Sequence, residues 1–305
     1  MPHAVSSAAV AKSTVFTNLQ DSESYLRWRD WKFSTLPQGL GGLVVEVRDP
    51  RRLSDSERAA LIQHCRHNNM ALYASQRGSE PDKDIPRLLG QQLGLLRLDH
   101  NWLADDDGIT SLAVNAEGAH PHYIPYTDRP IHWHTDGYYN PPERQIYGLL
   151  LHCVHPASEG GENALLDPEL AYIHLRDTNP AYIQALMNPD AMTIPARKQA
   201  GIEARPDSVG PVFSTHPHTG ALHMRYTART HSIAWSPDLL VQEAVQCLEN
   251  LLASDMTTIY RGRLEAGMGL VSNNVLHDRA GFKDLPGQPP RLLYRARYYE
   301  RVCET

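Results

Sequence analysis

Apolar positions along this chain recur with two different periods, and the switches between them sketch its elements. Gly42-Leu43-Val44-Val45-Glu46-Val47 is a short run rich in β-branched residues and predicts an early strand. From Asp55 to Asn68 the apolar residues Ala59, Leu61, Ile62 and Cys65 return on one side of a predicted helix. Ser54, with Glu57 three residues on, has the pattern of a capping box that would open it. Residues 70–74 read as a second strand and 85–95 as a second helix, so the chain opens as βαβα. A long β-type run follows over 145–155, and residues 168–177 read as helical. A further helix is expected from Ser236-Pro237, with Ser236 as N-cap and Pro237 in the first turn. Its apolar residues Leu240, Val241, Ala244, Val245, Leu248, Leu251 and Leu252 keep a 3.6-residue period. The last third returns to strands at 257–261, 269–273 and 291–300.

The final strand carries an unusual pattern. At period two, Arg291, Leu293, Arg295, Arg297 and Tyr299 share one face, and Leu292, Tyr294, Ala296 and Tyr298 share the other. Three arginines on one face suggest anion capture. The alternative is that Arg295 and Arg297 point to solvent or pair with structural carboxylates. No internal repeat or low-complexity linker interrupts the chain. Residues 18–305 therefore read as a single domain, mainly β with flanking helices, and residues 1–17, small and polar, as a flexible N-terminal tail.

Composition narrows the function classes. The 305 residues are 41% hydrophobic and 21% charged, with 22 prolines and 20 glycines spread along the chain, which suits many short strands joined by turns. The net charge of −6 and the scattered basic residues argue against a nucleic-acid surface. No stretch reaches the ~18 apolar residues of a membrane span, and the N-terminus lacks the apolar segment of a signal peptide. Cys65, Cys153, Cys247 and Cys303 form no Cys-x-x-Cys pair, which disfavours a zinc ribbon or redox dithiol and fits reduced thiols. These features point to a cytoplasmic protein with no membrane or nucleic-acid partner.

Candidate chemistry centres on His134-Thr135-Asp136. Residues i and i+2 of a strand would place an imidazole and a carboxylate side by side, and Gly137 would let the chain turn away tightly. With His277 from a distant strand they would form the 2-His-1-carboxylate face of non-heme Fe(II) oxygenases, which leaves positions open for a cosubstrate and O2. With 16 histidines in the chain, His132, His216 and His218 are the obvious decoys. Tyr123, Tyr126, Trp133, Tyr138, Tyr139 and Asn140 flank the motif and could wall a substrate site or hold a quaternary ammonium by cation–π contact.

His134-Thr135-Asp136, Gly160-Gly161-Glu162-Asn163, Asn273-Asn274-Val275-Leu276-His277 and Arg291-Leu292-Leu293-Tyr294-Arg295 together resemble the taurine dioxygenase/γ-butyrobetaine hydroxylase family. The resemblance runs from about Gly42 to Tyr299. It implies a distorted double-stranded β-helix (jelly roll) with flanking helices, and an enzyme using Fe(II), 2-oxoglutarate and O2. It implies His134, Asp136 and His277 as iron ligands, and Arg291, assisted by Asn163, at the distal carboxylate of 2-oxoglutarate. Tyr138, Tyr139, Tyr126 and Arg295 are then the expected substrate residues. The implied reaction hydroxylates a C–H bond of a sulfonate, amino acid, carboxylate or betaine and releases succinate and CO2. Its product is an alcohol or a hemiacetal-like species that fragments. Relatives commonly form dimers or tetramers, so a homo-oligomer is expected. A Zn-dependent hydrolase and a non-catalytic metal-binding jelly-roll protein are the competing readings. The hydrolase lacks a His-Glu-x-x-His segment, and a mere sensor has no need of the cosubstrate grip.

Overall fold

Ser54 and Glu57 close their capping box: the Ser54 side chain accepts from Glu57 N, and Glu57 reaches back to the Ser54 amide. The helix they open runs Asp55–Asn68 in a computed structural model that describes residues 15–100, 107–114, 124–199, 202–229 and 233–305. It buries Leu61, Ile62 and Cys65, while Ala60 and not the expected Ala59 packs against the core. Backbone contacts group the chain into two units, one of residues 37–166 and 259–305, the other of 1–36 and 167–258.

The first unit holds two larger sheets and a two-stranded pair of Glu159–Gly160 with Phe282–Lys283. The strands of the larger sheets are β1 (Val44–Val47), β2 (Met70–Ser75), β3 (Thr110–Leu112), β4 (Ile131–His134), β5 (Gly148–His155), β6 (Asn163–Leu166), β7 (Tyr260–Gly262), β8 (Met268–Ser272), β9 (Leu276–Arg279) and β10 (Leu292–Tyr298). Six of them lie in the order β1-β2-β8-β5-β10-β3, and four in the order β7-β6-β9-β4. Only β1 and β2 pair in parallel, as the helix between them requires; the other pairings in these sheets are antiparallel. Helices Asp55–Asn68 and Asp84–Gln92 cover one face of the larger sheet through Leu61, Ile62, Leu89, Leu150, Val154, Tyr294, Ala296 and Tyr298. The opposite face meets the smaller sheet across Leu72, Leu149, Leu151, Leu270 and Leu293 on one side and Leu165 and Tyr260 on the other. The expected alternation of β10 thus holds, with both faces buried. Register pairs Arg295 with Leu151 and Arg297 with Leu149, which turns the arginine face toward the smaller sheet.

The second unit is mostly helical, with helices Ser22–Ser34, Pro168–Thr178, Pro180–Leu186 and Leu239–Leu252 beside a small three-stranded sheet and two strand pairs. The last helix starts later than its sequence pattern suggested. Asp238, not Ser236, caps it by accepting from Leu240 N and Val241 N. Val15 and Phe16 are buried, and the Phe16 ring lies 5.1 Å from Trp28 and 5.2 Å from Tyr172, edge to face. The flexible tail expected over 1–17 therefore does not extend through these two residues, and positions 1–14 lie outside the described residues.

Two buried polar groups generate stability predictions. Lys32 is 0% exposed, and its ammonium donates to Asp167 and, at 2.7 Å, to Glu169. Lys32→Met should cost about 3–5 kcal/mol in urea unfolding, because it removes the ammonium that two buried carboxylates share; a loss below about 1 kcal/mol would refute this account. His152, also fully buried, bonds Tyr73 Oη through Nδ1 at 2.8 Å, while its Nε2 has no partner. Burial pushes its pKa down to about 4, against the opposite pull of Asp82 and Glu80. Below the unfolded value of about 6.5 the open chain takes a proton that the fold refuses, so stability falls as pH falls from there to about 4. Between pH 7 and 4.5 the wild type should lose roughly 2–3 kcal/mol more than His152→Gln in parallel denaturation curves.

Candidate metal centre

Strand register sets His134 directly opposite His277, with ring centroids 4.2 Å apart. His134 Nδ1 lies 2.9 Å from the His132 carbonyl, and His277 Nδ1 lies 2.9 Å from the Val275 carbonyl. A carbonyl can only accept, so each Nδ1 carries the proton and each Nε2 presents its lone pair, as a metal ligand must.

Asp136 reaches the same place by a different route from the one its spacing suggested. β4 ends at His134, so Asp136 lies in the turn beyond the strand rather than on its face. Gly137 makes that turn with φ +69°, and a Cβ there would fall 2.4 Å from Ile146 Cγ1. Asn274, itself at φ 54°, fixes the position: its Oδ1 accepts from Asp136 N at 2.8 Å, and its Nδ2 donates to Asp136 O at 2.9 Å and Ile146 O at 2.7 Å.

Asp136 Oδ1 accepts from Arg295 Nη1 at 3.1 Å, with Arg297 Nη1 3.6 Å away. Its Oδ2 is buried without a hydrogen-bond partner and lies 3.7 Å from His277 Nε2. Burial alone would raise the Asp136 pKa, but Arg295, then Arg297 and the two histidines, hold it well below the usual carboxylate range. Burial, then the adjacent His277, push His134 down to about 3, so its ring is neutral. Ligand atoms from His134, Asp136 and His277 all lie within 4.8 Å of one another. An ionised oxygen without a partner facing two imidazole lone pairs fits a divalent metal, and this mixed nitrogen and oxygen donor set suits Fe(II).

The other expected residues divide. Arg295 is engaged with Asp136, and its buried Nε has no partner. Arg297 does not reach solvent: it donates to Asp99 at 2.5 Å and to Tyr139 Oη at 2.9 Å. Asp99 also accepts from Arg144 and from Tyr299 Oη, at 2.9 and 2.6 Å. Tyr138 stacks edge to face on Tyr139, with centroids 5.2 Å apart, and Tyr126 packs on the core between the sheets. Tyr123 lies outside the described residues. Among the decoys His132 is exposed, and His216 and His218 belong to the other unit.

Arg291 is buried just before β10, and burial lowers its pKa. Gly160 and Gly161, at φ +71° and +77°, run against the Gly281-Phe282 segment; a Cβ on Gly160 would meet Gly281 O at 2.4 Å. This close approach accounts for the Gly-Gly motif, and a Cβ on Gly161 would lie 3.7 Å from Arg291 Nε. Asn163 opens β6 and donates Nδ2 to the Asp278 carbonyl at 2.7 Å. Sequence reasoning missed Asn274, Asp99 and Arg279. Arg279 is buried, and it follows His277 at period two, which was its available signal. Burial, then the charge of Arg291, push it down to about 9.

Comparison with known proteins bears on this centre. The chain is similar to a uridine-5'-phosphate dioxygenase of Streptomyces sp, at 30% identity over 197 residues, covering 63% of this chain and 70% of that protein. It is similar in fold to an asparagine oxygenase solved with Fe(II), 2S,3S-3-hydroxyasparagine and succinate, with a TM-score of 0.59 at 13% identity over 96% of this chain and 89% of the other. AAD-2, solved with Mn(II) and N-oxalylglycine, gives a TM-score of 0.61 at 15% identity over 88% of this chain and 97% of the other. The family model described as "Taurine catabolism dioxygenase TauD, TfdA family" matches residues 34–297. The chain thus belongs to the TauD/TfdA family and is an Fe(II)- and 2-oxoglutarate-dependent dioxygenase.

Proposed function

We propose that this dioxygenase hydroxylates a C–H bond of a small molecule carrying an anionic group, with release of succinate and CO2. His134, Asp136 and His277 are the iron ligands in this reading, and Arg291, assisted by Asn163, holds the distal carboxylate of 2-oxoglutarate. The observation that carries it is the buried, unpartnered Asp136 Oδ2 beside His277 Nε2. Iron bound there supplies, with 2-oxoglutarate and O2, the oxidising power that breaks the C–H bond.

The chain's own part is orientation and charge. Asn274 sets Asp136, and the carbonyls of His132 and Val275 set the two rings. Arg295 binds the Asp136 oxygen that lies away from His277 and keeps its Nε for an anionic group of the substrate. Tyr138, Tyr139 and Tyr126 wall the substrate space. A sulfonate, an amino acid or another carboxylate meets these requirements, as does a betaine through its carboxylate. The relative's name adds a nucleoside 5'-phosphate. The two opposed sheets are, in this reading, the halves of a distorted double-stranded β-helix, and residues 18–305 one catalytic domain; the family match spans both units. No helix among the described residues is long and apolar enough to cross a membrane.

The test is succinate formation from 2-oxoglutarate with added Fe(II), across a panel of sulfonates, amino acids, carboxylates, betaines and nucleoside 5'-phosphates. At least one anionic class should stimulate turnover, and no succinate with or without substrate would refute the reading. His277→Ala should lose stoichiometric Fe(II) binding and lower kcat/KM by about 10³-fold or more; retained turnover would sink the ligand assignment. Arg291→Gln should raise the KM for 2-oxoglutarate by roughly 10- to 100-fold while moving the substrate KM far less.

A further inference from the structure

Arg279 and Arg291 are each only 4% exposed, and each guanidinium carbon lies 4.9 Å from the centroid of the same Phe282 ring. Neither guanidinium has a carboxylate within 4.0 Å among the described residues. Asp284 accepts the backbone amide of Arg291 instead, at 3.1 Å. Arg279 donates Nη2 to the carbonyls of Thr127, at 2.8 Å, and Arg129, while its Nε is buried with no partner. Other buried arginines are arranged differently. Arg297 has Asp99, and Arg225 donates to the carbonyls of Met192 and Ser208. Among the described residues, only Phe282 has two guanidiniums on one ring. Asp128 and Asp284 act on these two guanidiniums only from a distance. Two like charges taken out of water with no carboxylate in contact are costly, and an anion between them would relieve both their repulsion and their desolvation.

We infer that Arg279 is a second cation of the pocket for the cosubstrate's distal carboxylate, and that through it the filling of this pocket steadies residues 127–129. The inference rests on Arg291 holding that carboxylate, as proposed above. Arg279 acts here as a positioning residue. A carboxylate arriving at Arg291 pulls the second guanidinium into place instead of leaving it repelled. Its Nη2 then grips the Thr127 and Arg129 carbonyls more firmly. That segment follows Tyr126 directly and leads into β4, which ends on His134. Cosubstrate binding is thereby transmitted to one wall of the substrate space and to a metal ligand, before any substrate is present.

The full-length chain loaded with Mn(II) in place of iron provides the test, with 2-oxoglutarate binding read by calorimetry. Arg279→Gln should weaken the Kd about 10-fold, whereas Arg279→Lys, which keeps the charge, should stay within about 3-fold of wild type. Hydrogen exchange of the amides in residues 124–130 should slow when 2-oxoglutarate is added to the wild type, and should not respond in Arg279→Gln. Unchanged exchange in the wild type would overturn the coupling without recourse to any variant. Equal weakening by Lys and Gln would overturn the charge argument and leave Arg279 a plain backbone clamp. If Arg291→Gln loses binding while Arg279→Gln binds as wild type does, this inference fails and the cosubstrate reading stands. If the wild type binds no 2-oxoglutarate, it is the cosubstrate reading that fails.

Discussion

The buried amide of Asn274 is the constraint on which the centre depends. Strand pairing alone places His134 opposite His277, but a facial triad needs a third donor from the same side, and β4 has ended before Asp136. Asn274 clasps both backbone polar groups of Asp136, takes the Ile146 carbonyl with its remaining N–H, and sits three residues before His277. Two hydrogen bonds thereby lock the two strand ends to each other and a third ties in Ile146, each worth about 1 kcal/mol net and costing more if broken with its partner left buried. Its left-handed φ of 54° is one that asparagine tolerates better than most residues. Asn273 beside it does the same work on the other side, tying Asn69 and Thr305 through Nδ2 and accepting Val302 N on Oδ1. Consecutive asparagines thus fix the metal turn and the C-terminal segment from one point of the chain.

Charge around Asp136 is settled by residues already in the fold. Arg295 and Arg297 approach one oxygen, which leaves the other for a metal, so guanidinium and cation need not compete for the same lone pair. Arg297 in turn is paired with Asp99, which Tyr299 and Arg144 also engage. The result is a relay of alternating charge from Asp136 outward, in which each buried ion has a partner. An isolated buried carboxylate would take up a proton instead of ionising, and the arginines prevent this. Around Phe282 the described residues form no such relay: Arg279 and Arg291 both lie against its ring, and neither guanidinium has a carboxylate within 4.0 Å.

Local pattern carried much of the fold. The βαβα opening, the capping box at Ser54, the apolar stripe ending at Leu252 and the two faces of β10 all depend on spacing within a few residues, and each is present. The set His134, Asp136 and His277 was legible for a related reason, since few arrangements make use of two imidazoles and a carboxylate in that order. What escaped depends on partners far along the chain. The cap at Asp238 is an exception, a local choice between two good N-cap residues two positions apart. The partner of Arg297 is 198 residues away, so no periodicity could reveal that it is buried rather than solvated. Asn274 escaped because its role is to bond a turn 138 residues distant. The i, i+2 argument placed Asp136 beside the histidines by an incomplete geometry: the proximity it explained as a strand face is imposed by that asparagine.

The same charge layout weighs the substrate classes against one another. A quaternary ammonium would look to Tyr138 and Tyr139 for its aromatic contacts. Arg297 already occupies that neighbourhood, with its guanidinium 6.0 Å from the Tyr139 ring centroid and hydrogen-bonded to the Tyr139 hydroxyl. A second cation on that ring would meet a buried positive charge that Asp99 only partly screens. An anionic group instead gains from Arg295 Nε without disturbing Arg295 Nη1 on Asp136. In the proposed reading, discrimination therefore rests on which sign of charge the buried arginines tolerate beside Asp136. That favours a sulfonate, carboxylate or phosphate directed toward Arg295 over a trimethylammonium directed toward the tyrosines.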